Sequence, residues 1–148
     1  GLRGIDNFEA FMKFLAPLGR GLIDETVLAG ERVFEAIGCA VCHVPTIKTG
    51  PSANPLFDRR TVPLFSDLLL HDVASGDGIA QAAAAPNEIR TPALWGLRFR
   101  RPLLHDGSAA TPTEAVLAHG AEAELARAGF EQLDPVSRAA LFAFLASL

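Results

Sequence analysis

The stretch Ile37-Gly-Cys-Ala-Val-Cys-His-Val-Pro45 holds both cysteines of a 148-residue chain, Cys39 and Cys42, with His43 directly after the second. Three chemistries use thiols at this spacing. A redox dithiol follows a strand in a βαβ unit, and no strand pattern precedes Cys39. A structural zinc site takes four ligands, usually from two paired clusters. This chain has no second cysteine pair and no His-x₃₋₅-His, so zinc would draw on scattered histidines. Covalent haem needs nothing further: each thiol can add to a vinyl group, and the next residue then lies under the ring, where its imidazole binds iron. The window therefore points to haem c, with Cys39 and Cys42 as attachment points and His43 as proximal ligand. Zinc and a redox dithiol remain the alternatives.

The elements that position this window read as helices. One is expected from about Asp24 to Ile37, with acidic residues at its start and Gly38 as its stop. It sets the cysteines on a helix C-terminal turn. Upstream, "DNFEAFMKFLAP" carries an Asp6/Glu9 cap and places Phe8, Phe11, Met12 and Leu15 at helical spacing, until Pro17 and Gly19 end it. Residues 44–90 are broken by Pro45, Pro51, Pro55, Pro63 and Pro86, and only "SDLLLHD" and "GIAQAAAA" offer a turn or two of helix. So long a loop is unusual in a compact domain. Order returns at "RTPALWGL", with Thr91 as cap and Pro92 at the first helical position. "TPTEAVLAHG" repeats that design, with Thr111 as cap, Glu114 as box partner and Gly120 as stop. The closing "DPVSRAALFAFLASL" carries Leu141, Phe142, Leu145 and Leu148 on one stripe. No alternating pattern is visible, so the expected fold class is all-α.

Composition narrows the function. Apolar residues at 49% and charged residues at 20% are ordinary for a globular domain. A net charge of −4 argues against a nucleic-acid surface. Lys13 and Lys48 are the only lysines. Arg90, Arg98, Arg100 and Arg101 lie close together and suggest a local anion site. No run of about 18 apolar residues exists, so no membrane span is expected. No signal peptide is visible at "GLRGIDNF", so a cytoplasmic, processed or excised chain is expected.

Gly30, Phe34 and the cysteine window resemble the first helix of a c-type cytochrome, where the glycine allows a close helix crossing. The closing helix resembles the one that crosses it. "IGCAVCHVP", "SDLLLHD", "EIRTPALWGL" and "LLHDGSAATPTEAVLAHGAEA", in that order, resemble the C-terminal half of the di-haem cytochrome c peroxidase superfamily, most of all its di-haem oxidoreductase (thiol oxidoreductase-like) branch. The resemblance implies a cytochrome c-like fold around one covalent haem, with a long insertion after the attachment motif. Residues 1–20 would be a linker helix from a preceding domain, and 21–148 a single haem domain. In that superfamily the N-terminal haem meets peroxide and the C-terminal haem relays electrons. Only one haem motif is present here, so the expected activity is one-electron relay. Reduction of peroxide at an open iron site is the rival, and a partner-dependent module with no activity alone is a third reading. The resemblance also implies a periplasmic location and a redox partner or second haem domain. A homodimer is another possible association.

The remaining histidines compete for the distal iron position. His71 reads as a loop residue bonded to Asp67 or Asp72, with a ligand role as the competing reading. His105 belongs to a His-Asp-Gly turn, held by Asp106 or standing near the haem. His119 shares a helical face with Ala115 and Val116, so it is either a second iron ligand or a buried histidine bonded to a carbonyl. The resemblance implies the first, because related peroxidases place a ligating methionine or tyrosine at the position His119 occupies. Met12 reads as core rather than as a thioether ligand. Trp95 is expected against the macrocycle. Arg90 and the Arg98–Arg101 group either pair with haem propionates or form a solvated face.

Overall fold

The computed structural model describes residues 3–148. Five α-helices and four short strands occur among them: α1 (Gly4–Lys13), α2 (Glu25–Ala36), β1 (Ile47–Lys48), β2 (Thr61–Val62), β3 (Leu70–Asp72), β4 (Glu88–Arg90), α3 (Pro112–Leu117), α4 (Glu124–Glu131) and α5 (Pro135–Ser147).

The core is the crossing of α2 and α5. Asp24 caps α2 by accepting the Val27 amide, and Gly38 ends it in the left-handed region at φ 92°. Asp134 caps α5 through the Val136 and Ser137 amides, with Pro135 in the first position. The helices meet at Gly30. A Cβ there would overlap the Ala140 carbonyl and come within 2.8 Å of Phe144 Cβ, so only glycine permits the approach. Phe34, Phe65 and Phe144 fill the space beside the crossing, with ring centroids 5.1 Å (Phe34–Phe144) and 5.6 Å (Phe65–Phe144) apart. Full burial of each ring contributes on the order of 2–3 kcal/mol. α4 lies against the cysteine-bearing turn, its Gly129 set close to Ile37.

The fold is mixed rather than all-α. β1 and β2 pair antiparallel, and β3 and β4 pair with Leu70 opposite Arg90, His71 opposite Ile89 and Asp72 opposite Glu88. Strands of two or three residues are too short to display an alternating pattern. "SDLLLHD" forms no helix and ends in β3, and "GIAQAAAA" closes as a turn bridged between Gln81 and Ala84. "RTPALWGL" forms no α-helix either. The buried Thr91 gives its amide to Leu69 O and receives Ser66 Oγ–H on its carbonyl, so tertiary partners displace the local cap signal. α4 has little sequence signal, since its cap position is Ala123 and Gly129 lies within it.

α1 begins two residues before Asp6, which accepts the Arg3 amide. None of its side chains is buried, so Met12 is exposed and not core. Phe14 stacks on Phe57, but Ile5, Phe8, Phe11 and Leu15 form an uncovered apolar stripe among the described residues.

Candidate haem site

Cys39 opens a single 3-10 turn (Cys39–Val41) directly after Gly38, and His43 follows with its amide on Cys39 O. This turn swings the window off α2 and directs the His43 ring toward Phe34, 6.3 Å away between centroids. The segment Phe65–Asp67 runs beside it. Phe65, Ser66 and Asp67 give their amides to Pro45, Val44 and Cys42. Phe65 holds a positive φ of 52°, a conformation costing a side chain about 1–2 kcal/mol. Its ring remains in the core while its carbonyl accepts the His43 Nδ1–H at 3.0 Å. A carbonyl can only accept, so the proton is on Nδ1 and the Nε2 lone pair is free. Burial pushes the His43 pKa down, which keeps the ring neutral. The Phe65 carbonyl opposes that shift, while His119 and then His71, both within electrostatic reach, add to it.

Both cysteines are free thiols. Burial pushes Cys39 up to about 11. Burial also raises Cys42, and the carboxylates of Asp67 and Glu122 raise it further. A redox dithiol depends on a lowered thiol pKa and a metal thiolate on a deprotonated sulfur. Both environments favour neutral S–H groups instead. Cys42 Sγ, an Asp67 oxygen and a His71 nitrogen do lie within 4.8 Å of one another. That trio lacks Cys39 and falls one short of the four donors of structural zinc.

His119 lies beyond the helix that was expected to carry it to Gly120. α3 stops at Leu117, although its Thr111/Glu114 capping box forms as expected. The His119 amide turns to Val116 O at 3.1 Å, and its ring Nδ1–H takes the Ala115 carbonyl at 2.6 Å. The last carbonyls of a helix lack backbone partners, and here the ring satisfies one of them. The same reasoning as for His43 leaves Nε2 as the free atom.

His71 is different. Its Nε2–H donates to Asp67 Oδ2 at 2.7 Å and its Nδ1–H to Glu122 Oε2 at 2.8 Å, so neither nitrogen is open to a metal. His105 Nε2 lies 3.7 Å from Asp77 Oδ2, while Asp106 caps the Ser108 amide. Trp95 lines a cavity of about 110 Å³ with Pro17, Arg20, Phe65 and Leu148, next to the residue that orients His43. Arg90 is exposed at the end of β4 and has no polar partner for its guanidinium among the described residues. Arg98 caps the end of α5 through the Ser147 and Leu148 carbonyls, Arg100 takes those of Ala93 and Trp95, and Arg101 takes that of Leu97. Phe65 and Glu122 carry no sequence signal for these roles, since one acts through its main chain and the other is one of two carboxylates in "HGAEAE".

A paired thiol turn followed by an oriented neutral imidazole, on crossed helices with an aromatic core, defines a haem-based redox protein. The residues fit the group: two neutral thiols at attachment spacing and two imidazoles with free Nε2 atoms. The family model described as "Di-haem oxidoreductase, putative peroxidase" matches residues 8–148, and the chain belongs to that family. A search of curated proteins gave no match. Among solved structures, the chain is similar to a hydrazine synthase of Kuenenia stuttgartiensis studied under xenon pressure, at 20% identity and a TM-score of 0.63. The match covers 97% of this chain and 55% of that one, so this chain spans about half the length of that neighbour. No helix is long and apolar enough to cross a membrane.

Proposed function

We propose that the chain is a c-type cytochrome domain holding one covalent haem and working as a one-electron relay in a peroxidase-like di-haem system. Cys39 and Cys42 would hold the macrocycle through thioethers, and His43 and His119 would bind its iron. The observation that carries this reading is the matched polarity of the two histidines, each giving Nδ1–H to a main-chain carbonyl and keeping Nε2 free. When bound, the haem supplies a one-electron couple. The Phe65 carbonyl orients the His43 ring, the Ala115 carbonyl orients the His119 ring, and the buried rings of Phe34 and Phe65 would keep water from the His43 side of a bound haem. Two imidazoles favour a lower potential than a His/Met pair.

The family's description favours a second reading, reduction of peroxide at an open iron position. The optical spectrum of the oxidised protein separates them. Six-coordinate low-spin bands with negligible peroxide turnover support relay, and five-coordinate high-spin bands with turnover overturn it. With a single attachment motif in a family described as di-haem, the proposed partner is a second haem-bearing domain or redox protein. The apolar stripe of α1 is a surface it could cover. Association into a homodimer is the competing use of that stripe. Thioether formation on the outer side of the bacterial membrane makes the periplasm the proposed location.

A further inference from the structure

His71 stands between the segments that carry the two proposed iron ligands. On one side, Asp67 belongs to the Phe65–Asp67 segment that orients His43 and gives its amide to Cys42 O. On the other, Glu122 follows His119 by three residues, and its second oxygen takes the Asp72 amide at 2.9 Å. The Gly120 amide reaches across to Val73 O at 3.0 Å. The proximal and distal segments are therefore joined through β3, and His71 supplies the only side chain of β3 that bonds to both. Its partners are carboxylates, which accept and do not donate, so both ring nitrogens carry protons and the group is an imidazolium between two anions. The His71 and Asp67 side chains are largely shielded, whereas Glu122 is half exposed. The other ionisable groups nearby are Cys42 beside Asp67, Asp72 held by Asn87, Glu88 and Arg90 flanking the position opposite His71 on β4, and His43 within electrostatic reach.

We propose that His71 is a positioning residue, a charged strut that holds the His119 segment against the His43 segment and so keeps the distal imidazole in place. This rests on His119 as the distal ligand. With the strut broken, Asp67 and Glu122 lose their shared cation, and the turn after α3 keeps only its links to the β3 side, the Gly120 amide on Val73 O and the Asp72 amide on Glu122, with no side-chain tie to the Asp67 segment. The distal imidazole then spends more time displaced, and a small ligand can compete for its place. A histidine on a short strand thus sets whether the site is closed, as electron relay needs, or open, as peroxide chemistry needs.

The test is carbon monoxide association to the reduced haem protein, in the wild type, His71→Gln and His119→Ala proteins and the double variant. Carbon monoxide has no ionisation of its own and reports only access to iron. Loss of the strut is expected to raise the association rate by about tenfold and to add a high-spin component to the oxidised spectrum. In the His119→Ala background the same substitution is expected to add less than about twofold, because no distal imidazole is left to hold. The wild-type rate is also expected to rise as pH increases through the His71 titration, and that rise to be absent in His71→Gln. Glu122→Ala, at a half-exposed carboxylate, repeats the test from the other end should His71→Gln fail to incorporate haem. A rate in both strut variants within about twofold of wild type overturns the proposal. So does an equal increase with and without His119, which places the effect elsewhere. If His119→Ala itself keeps the wild-type rate and low-spin spectrum, the distal ligand is wrong and both readings fall together.

Discussion

His43 and His119 carry the same hydrogen-bond polarity. Each gives Nδ1–H to a main-chain carbonyl, that of Phe65 at 3.0 Å and that of Ala115 at 2.6 Å, and each leaves Nε2 unengaged. His71 has both nitrogens committed to carboxylates. Of these three, only the two with a free Nε2 are in the state a ligating imidazole usually takes, with its other N–H given to a neighbour.

His119→Met should therefore raise the reduction potential, by on the order of 0.1–0.2 V out of the ~0.8 V range that axial ligands span. His119→Ala should turn the oxidised spectrum high-spin and admit cyanide. Spectroelectrochemical titration of the purified variants reads both. A low-spin spectrum that survives His119→Ala and disappears in His71→Ala would assign the distal role to His71.

Attachment is tested at the thiols. Wild-type protein should keep its haem through denaturing electrophoresis and acid-acetone extraction. Cys39→Ala and Cys42→Ala should each retain it less firmly, and the double variant should release it. Colourless wild-type protein carrying stoichiometric zinc would exclude the haem assignment.

The α2–α5 crossing makes Gly30 a stability determinant. In Gly30→Ala the new methyl meets the Ala140 carbonyl and Phe144 Cβ, and neither can move without displacing α5. Overpacking of this kind costs about 3 kcal/mol. Urea denaturation should show a lower midpoint with an unchanged slope, and haem incorporation should fall. A midpoint equal to wild type would mean that the helices can separate at little cost.

The His71 network should give stability a pH plateau with two edges. The hydrogen bonds His71 donates to Glu122 and then to Asp67 raise its pKa. Stability from that shift is complete below the unfolded value near 6.5 and is lost as pH rises through the folded one. The two carboxylates shift the other way. Burial opposes ionisation of Asp67, but His71 and the Leu69 amide outweigh it, and His71 with the Asp72 amide lowers Glu122. Their contribution is present above the ordinary carboxylate range near 4 and is lost as pH falls. Thermal midpoints measured across pH should fall at both edges in wild type. In His71→Gln the alkaline edge should flatten, and an unchanged alkaline edge would show that His71 does not set it.

The sequence by itself determined the chemistry and the main helices. Cys39, Cys42 and His43 are adjacent, so their spacing carries the haem reading without any knowledge of the fold. Asp24, Gly38, Thr111, Glu114 and Asp134 act on amides or turns within a few residues, so helix starts and stops are local facts. Gly30 at a helix crossing is legible through resemblance to c-type cytochromes. The tertiary structure decided whatever depends on distant partners. The strands β1–β4 are too short to carry a pattern, and each exists because another segment lies beside it, so an all-α reading could not survive. Thr91 signals a helix start, yet Ser66 and Leu69 hold it extended. The roles of the histidines depend on which oxygen faces each nitrogen: a carbonyl 22 residues away for His43, and a carboxylate 51 residues away for His71. Composition and periodicity do not encode such pairings, because a hydrogen bond is set by where two backbones meet in space.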